Sequence, residues 1–157
     1  MTTWSERPRI VAAYLNPALL SIVVSSAARG YAQRGELMPW PMSFLVVPLV
    51  LHRPTREALP GNTRTHLSTW VQRNPLLRAG LPARAESLAS PVSEGLRFGL
   101  RHGEFTMQDG RLRPGANIRV SNNEHLGVLI RSATMVGRWL SLSQAPSTPF
   151  ALLGVVI

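Results

Sequence analysis

Cysteine and lysine are both missing from this chain of 157 residues. Without cysteine there is no disulfide framework, no thiolate metal site and no cysteine nucleophile, which fits a reducing cytoplasm. Without lysine, all 17 basic residues are arginine, a bias that a GC-rich coding sequence produces as readily as a functional demand does. Acidic residues are scarce too. Eight of them, scattered singly, leave a net charge of +9 and a pI near 11.7. Paired-carboxylate catalysis therefore has little support, while long-range attraction to nucleic acid or another polyanion is open. Solvated surface, or an acidic partner subunit, would account for the same charge. Long apolar runs are also absent. The longest, FLVVPLVL at residues 44–51, is far short of the ~20 residues of a spanning helix. Arg7 and Arg9 precede an apolar stretch ending at Ala27 and Ala28, as in a secretory signal, but Asn16-Pro17 interrupts it. That dipeptide reads instead as a helix start, with Asn16 as N-cap and Pro17 at the first helical position. The expectation is a soluble, cytoplasmic protein with no membrane partner.

Catalytic patterns are equally thin. The histidines at 52, 66, 102 and 125 show no metal-ligand spacing, and no glycine-rich phosphate loop is present. Gly95 and Gly99 form a GxxxG whose ordinary meaning in a soluble amphipathic helix is close helix packing. The reading is a non-enzymatic chain that needs no cofactor and no metal.

The pattern along the chain predicts a mainly α fold with a small β component. After a flexible tail over 1–9, residues 10–157 read as a single compact winged-helix-like domain, a size ample for one core. To that domain are added N- and C-terminal helices and a C-terminal strand. Leu20, Val23 or Val24, Ala27 and Tyr31 recur at helical spacing from Pro17, and Gly35 can end that helix. Pro39 and Pro41 around Trp40 predict an extended loop over 38–42. FLVVPLVL has no polar face, and Pro48 forbids a central strand, so a short buried helix capped by Ser43 is expected. HRPTREALP then turns a surface corner. Further helices are predicted over 65–73, 82–89 and 90–102, the last with Ser90 as cap and Gly103 as stop. Asp109-Gly110 marks a two-residue hairpin that sets Met107 opposite Leu112 and Thr106 opposite Arg113, making 104–113 the wing. Ser121 and Glu124 form a capping box before a helix with Leu126, Leu129, Ile130, Ala133, Val136 and Leu140 on one face. FALLGVVI reads as a terminal buried strand.

Two sets of candidate site residues emerge. Arg97 and Arg101 lie one turn apart on the outer side of the third helix, and Arg111 and Arg113 on the polar face of the wing. In DNA-bound winged helices these positions meet phosphates or groove edges. Pairing of Arg97 with Glu94, with the rest solvated, would explain them without DNA. The second set is Arg53, Thr55, Arg56 and Glu57, held between prolines at the corner. A rigid charged corner suits partner docking, and it equally suits a structural turn in which Arg56 or Glu57 caps neighbouring backbone.

Several stretches together resemble a known family. They are NPALL at 16–20, PWPMSFLVVPLVLHRPTREALP at 39–60, EGLRFGLRHGEF at 94–105 with GRL at 110–112, VGRWLS at 136–141 and TPFALLGV at 148–155. The chain is similar to middle components of bacterial three-component ABC systems, the conflict and anti-phage modules related to Lamassu. The resemblance implies a non-enzymatic adaptor that links an SMC/Rad50-like ABC ATPase to an effector, often a nuclease, with double-stranded DNA as a further candidate partner. A free-standing winged-helix DNA-binding transcriptional regulator is the competing reading.

Overall fold

The fold is described from a computed structural model, which describes residues 15–116 and 122–157 together with Ser5 and Arg9. The expected tail over 1–9 otherwise lies outside the described residues, as does Ser121. The architecture is mainly α, with seven α-helices among the described residues and one small antiparallel sheet.

Helix α1 (Pro17–Ala32) starts as its sequence dictates: Asn16 accepts a hydrogen bond of 2.8 Å from the Ala18 amide, with Pro17 in the first turn. Leu20, the run from Val23 to Ala28, Gly30 and Tyr31 are all buried, so α1 is the central helix rather than a surface one. Two buried serines in it are satisfied locally, Ser21 Oγ donating to the Ala18 carbonyl at 2.7 Å and Ser25 Oγ to the Ile22 carbonyl at 3.2 Å.

The stretch expected to be only a loop makes two elements. Met38–Pro39 is strand β1, and Trp40–Met42 is a turn of 3₁₀ helix that feeds straight into α2 (Ser43–Leu51). Ser43 is therefore not a cap; its hydroxyl is buried and unpartnered among the described residues. From Phe44 to Val50 every residue of α2 is buried, Pro48 included. The helix persists through its proline because burial on all sides outweighs one lost ladder bond. Helix α3 (Arg53–Ala58) is the corner and α4 (Leu67–Arg73) follows a loop.

Where two helices were expected over 82–102, one helix runs unbroken from Pro75 to His102. This is α5, 28 residues long with Pro82 and Pro91 inside it. Ser90 caps nothing. Pro91, Val92, Gly95, Leu96 and Gly99 are buried against α1 and α2 or under the sheet, and that packing carries the chain through positions where local preference alone would stop it. The helix beside the hairpin is thus the end of a long one and not a separate short recognition helix. Gly103, at φ 72°, ends it in the left-handed conformation.

Strands β2 (Phe105–Gln108) and β3 (Arg111–Pro114) pair with Met107 opposite Leu112 and Thr106 opposite Arg113, as the turn requires. Asp109 and Gly110 both adopt positive φ, 51° and 73°. Strand β1 adds to the outer side of β3 with Met38 opposite Leu112, and Pro39 is tolerated because β1 is an edge.

Helix α6 (Glu124–Leu140) begins later than the capping box implied. Its N-cap is Asn123, whose side chain accepts from the Leu126 amide at 3.1 Å. The last element is also different. Residues from Ser147 to Leu153 form helix α7, closed by Gly154 at φ 71°, so the C-terminal strand is not formed. Thr148, Pro149 and Leu153 suit a short helix end docked on Arg78, which donates to the Leu152 carbonyl at 3.1 Å.

Glycines set the helix spacings. A Cβ on Gly30 would stand 2.0 Å from the Thr134 carbonyl oxygen, and one on Gly137 would stand 1.9 Å from that of Ala27. Helices α1 and α6 therefore touch backbone to backbone. Gly95 lets α5 close on the Cβ of Leu20, and Gly99 seats the ring of Phe105, so the GxxxG is a packing device.

Candidate functional site: the α3 corner cleft and the α5–hairpin face

The corner is built on a proline-started turn at the end of α2. Arg56 reaches back and donates from Nη1 to the Val50 carbonyl at 2.7 Å, with the Leu51 carbonyl 3.4 Å away. It caps the last orphan carbonyls of α2. Thr55 is fully buried. Its hydroxyl lies 2.7 Å from His52 Nδ1 and accepts from Arg84 of α5 at 3.2 Å. Arg53 and Glu57 pair on the outside at 2.7 Å, both well exposed, and Arg53's hydrogen bond and charge hold the Glu57 carboxyl below its usual range. An exposed i, i+4 pair of this kind contributes little to stability. Of the four predicted docking residues, then, Thr55 faces the interior and the other three reach the surface.

Those three line a cleft of about 570 Å³ between the corner and the first half of α6. Leu51, Val128 and Leu129 give it apolar walls, and His125 and Ser132 complete it. The sequence alone does not single out the α6 residues. Leu129 reads simply as core, and nothing local signals that α6 runs beside the corner.

Behind the cleft the charge is one-sided. Arg84 donates to the Leu77 carbonyl at 3.1 Å and to Thr55, while its Nε is buried without a partner among the described residues. Burial lowers its pKa. His52 is lowered as well, by burial first and then by the charges of Arg84 and Arg56. Neutral His52 is thus favoured in the fold, whereas the unfolded chain takes up a proton near the ordinary histidine value. Stability from this group is complete above about pH 6.5 and is lost as pH falls from there through the folded-state value. Urea titrations at stepped pH should show His52→Gln losing less stability on acidification than the wild type; parallel curves would remove His52 as the cause.

On the other face, Arg97 and Arg101 are exposed on the last turns of α5, with exposed Leu100 beside Arg101. Arg113 is exposed and donates from Nε and Nη2 to Gln108 Oε1 at 3.0 and 2.7 Å. Arg111 differs. It is half-buried, donates to the Leu37 carbonyl at 2.7 Å and hydrogen-bonds the Tyr31 phenol, whose pKa is raised chiefly by burial. Arg111 straps the sheet to α1, and the exposed basic set is Arg97, Arg101 and Arg113. Among the described residues no cluster of three or more histidine or acidic side chains could hold a metal, and no helix is long and apolar enough to cross a membrane.

The family model of the ABC-three component system Middle Component 3 matches residues 4–157. The chain belongs to that family. No curated protein and no solved structure matches it. As the middle component of a multi-component ABC system, its partners are the system's other components.

In this middle component the corner residues divide between display and architecture. Arg53→Glu should leave the melting temperature nearly unchanged, since exposed substitutions usually fall within about 0.5 kcal/mol. Arg56→Glu should cost about 1–3 kcal/mol, because it removes a charged cap and turns a carboxylate towards carbonyl oxygens. Equal melting of the two variants would show that the Arg56 cap is unimportant.

Proposed function

We propose that this middle component is a non-enzymatic coupling subunit of a cytoplasmic, Lamassu-related defence complex. It joins an SMC/Rad50-like ABC ATPase to an effector, and it touches duplex DNA through the α5–hairpin face. Membership of the middle-component family across residues 4–157 carries this reading. Two separate surfaces, the corner cleft and the basic face of Arg97, Arg101 and Arg113, suit a chain that must engage more than one partner. The helix end and the hairpin together offer the two elements with which winged helices grip a duplex.

The test is co-expression with the proteins encoded beside it. The ATPase and effector should co-purify only when this chain is present, and Arg97→Ala/Arg101→Ala should weaken duplex binding by the assembly. Its salt dependence should flatten by roughly 0.9 in log–log slope for each phosphate no longer neutralised. Association of ATPase and effector without this chain would defeat the coupling role. Unchanged duplex binding would return the two arginines to solvated surface.

A further inference from the structure

The cleft between α3 and α6 joins an apolar floor to a positive rim. Leu51, Val128 and the almost fully buried Leu129 form the floor. Arg56 stands at the rim beside Arg53, which engages Glu57 at 2.7 Å, and Arg56 itself makes no ion pair among the described residues. Arg56 spends one guanidinium nitrogen on the end of α2. A helix end carries only about half a unit of negative charge, so it offsets part of the guanidinium's full one. Arg84 adds a further cation immediately behind, bound to a hydroxyl and a carbonyl and to no carboxylate among the described residues.

We infer that this cleft docks an acidic, partly apolar segment of another protein component of the system, with a carboxylate at the Arg56–His125 rim and an apolar side chain on Val128 and Leu129. Charge complementarity selects the occupant. A net +9 chain whose Arg56 and Arg84 ion-pair with no carboxylate among the described residues favours a negative partner, and the apolar floor favours a peptide side chain over a phosphate backbone. The inference rests on the coupling role proposed above and gives it a place and a chemistry.

Overlapping short peptides covering the other components, titrated against the purified chain, test it. Bound peptides should pair Asp or Glu with Leu, Ile, Val or Phe. Amidating the acidic residues of the tightest one should weaken binding roughly tenfold or more, as losing one partner of a desolvated charge pair does. Ser132→Trp, which fills the cleft, should do the same, and His125→Glu on an exposed rim position provides a second variant should the first fail to fold. Arg97→Ala/Arg101→Ala should bind as the wild type does. Neutral or basic peptides binding best, or full binding by both folded cleft variants, would overturn the assignment. Absence of any bound peptide from an assembly that still forms would overturn the cleft and leave the coupling role standing. Competition by a duplex oligonucleotide that the cleft variants abolish would assign the cleft to DNA instead. If the components never associate with this chain, the coupling role and the cleft fall together.

Discussion

Gly137→Ala should lower the melting temperature by roughly 3–9 °C, the equivalent of an overpacking cost of about 1–3 kcal/mol in a domain of this size. The new methyl would meet the Ala27 carbonyl oxygen at 1.9 Å, with that residue's carbonyl carbon and Cα next in line at 2.7 and 2.9 Å. None of these is the tip of a flexible side chain. Relief requires α1 and α6 to move apart, and doing so opens gaps around Val136, Ala133 and Leu140, all buried to 1% exposure or less. Gly30→Ala should behave alike, since its methyl would strike the Thr134 carbonyl in the same seam. The two effects should sum to less than their separate costs, because one separation of the helices relieves both. Gly61→Ala is the control: no atom lies within 4 Å of its Cβ position. Thermal denaturation followed by circular dichroism distinguishes these cases. A Gly137→Ala protein that melts with the wild type would show that the two helices are not in backbone contact.

Trp139→Ala should cost about 3–5 kcal/mol, the range for emptying a buried aromatic site. The Trp139 indole is 2% exposed and packs edge-to-face on Trp70 with ring centroids 5.8 Å apart. Its Nε1 donates to the Thr65 carbonyl at 2.7 Å, while Trp70 Nε1 donates to the Ala58 carbonyl at 2.8 Å. The two indoles therefore staple both ends of the loop that joins α3 to α4. Since whole domains are stable by only about 5–15 kcal/mol, the alanine variant should be close to unfolding. Trp139→Phe keeps most of the packing and loses the hydrogen bond, so it should cost nearer 1 kcal/mol. Urea denaturation gives both values. A Trp139→Ala variant no weaker than Trp139→Phe would mean that the aromatic pair contributes no packing energy.

Helix starts are legible where a side chain and its backbone target lie within three residues. Asn16 and Pro17 announce α1, and Asp109-Gly110 announces the hairpin together with its register, because such turns are closed by local geometry. Differences cluster where distant packing overrides local preference. Pro82 and Pro91 read as breaks yet lie inside α5, which is held against α1 and α2. FALLGVVI alternates too little to separate a short strand from a short helix, and only its seat on Arg78 settles the matter. The corner is visible in the sequence, but the inward side of Thr55 is not, since a six-residue helix gives too few turns to define an inward face. The α6 wall of the cleft is out of reach for a different reason. Val128 and Ser132 acquire their role from a neighbour some seventy residues away in sequence.

The glycine seam between α1 and α6 also bears on how force passes through the molecule. The space opposite the Ala27 oxygen holds only a hydrogen, so sliding α6 by one turn, about 5.4 Å, would bring the Cβ of Ala133 or Leu140 there instead. Axial slip is thereby excluded, and Gly95 fixes α5 to the same spindle at Leu20. The wall of the cleft on α6 and the arginines on α5 are consequently keyed to one shaft. A push delivered at one surface therefore meets helices that cannot glide past one another by a turn.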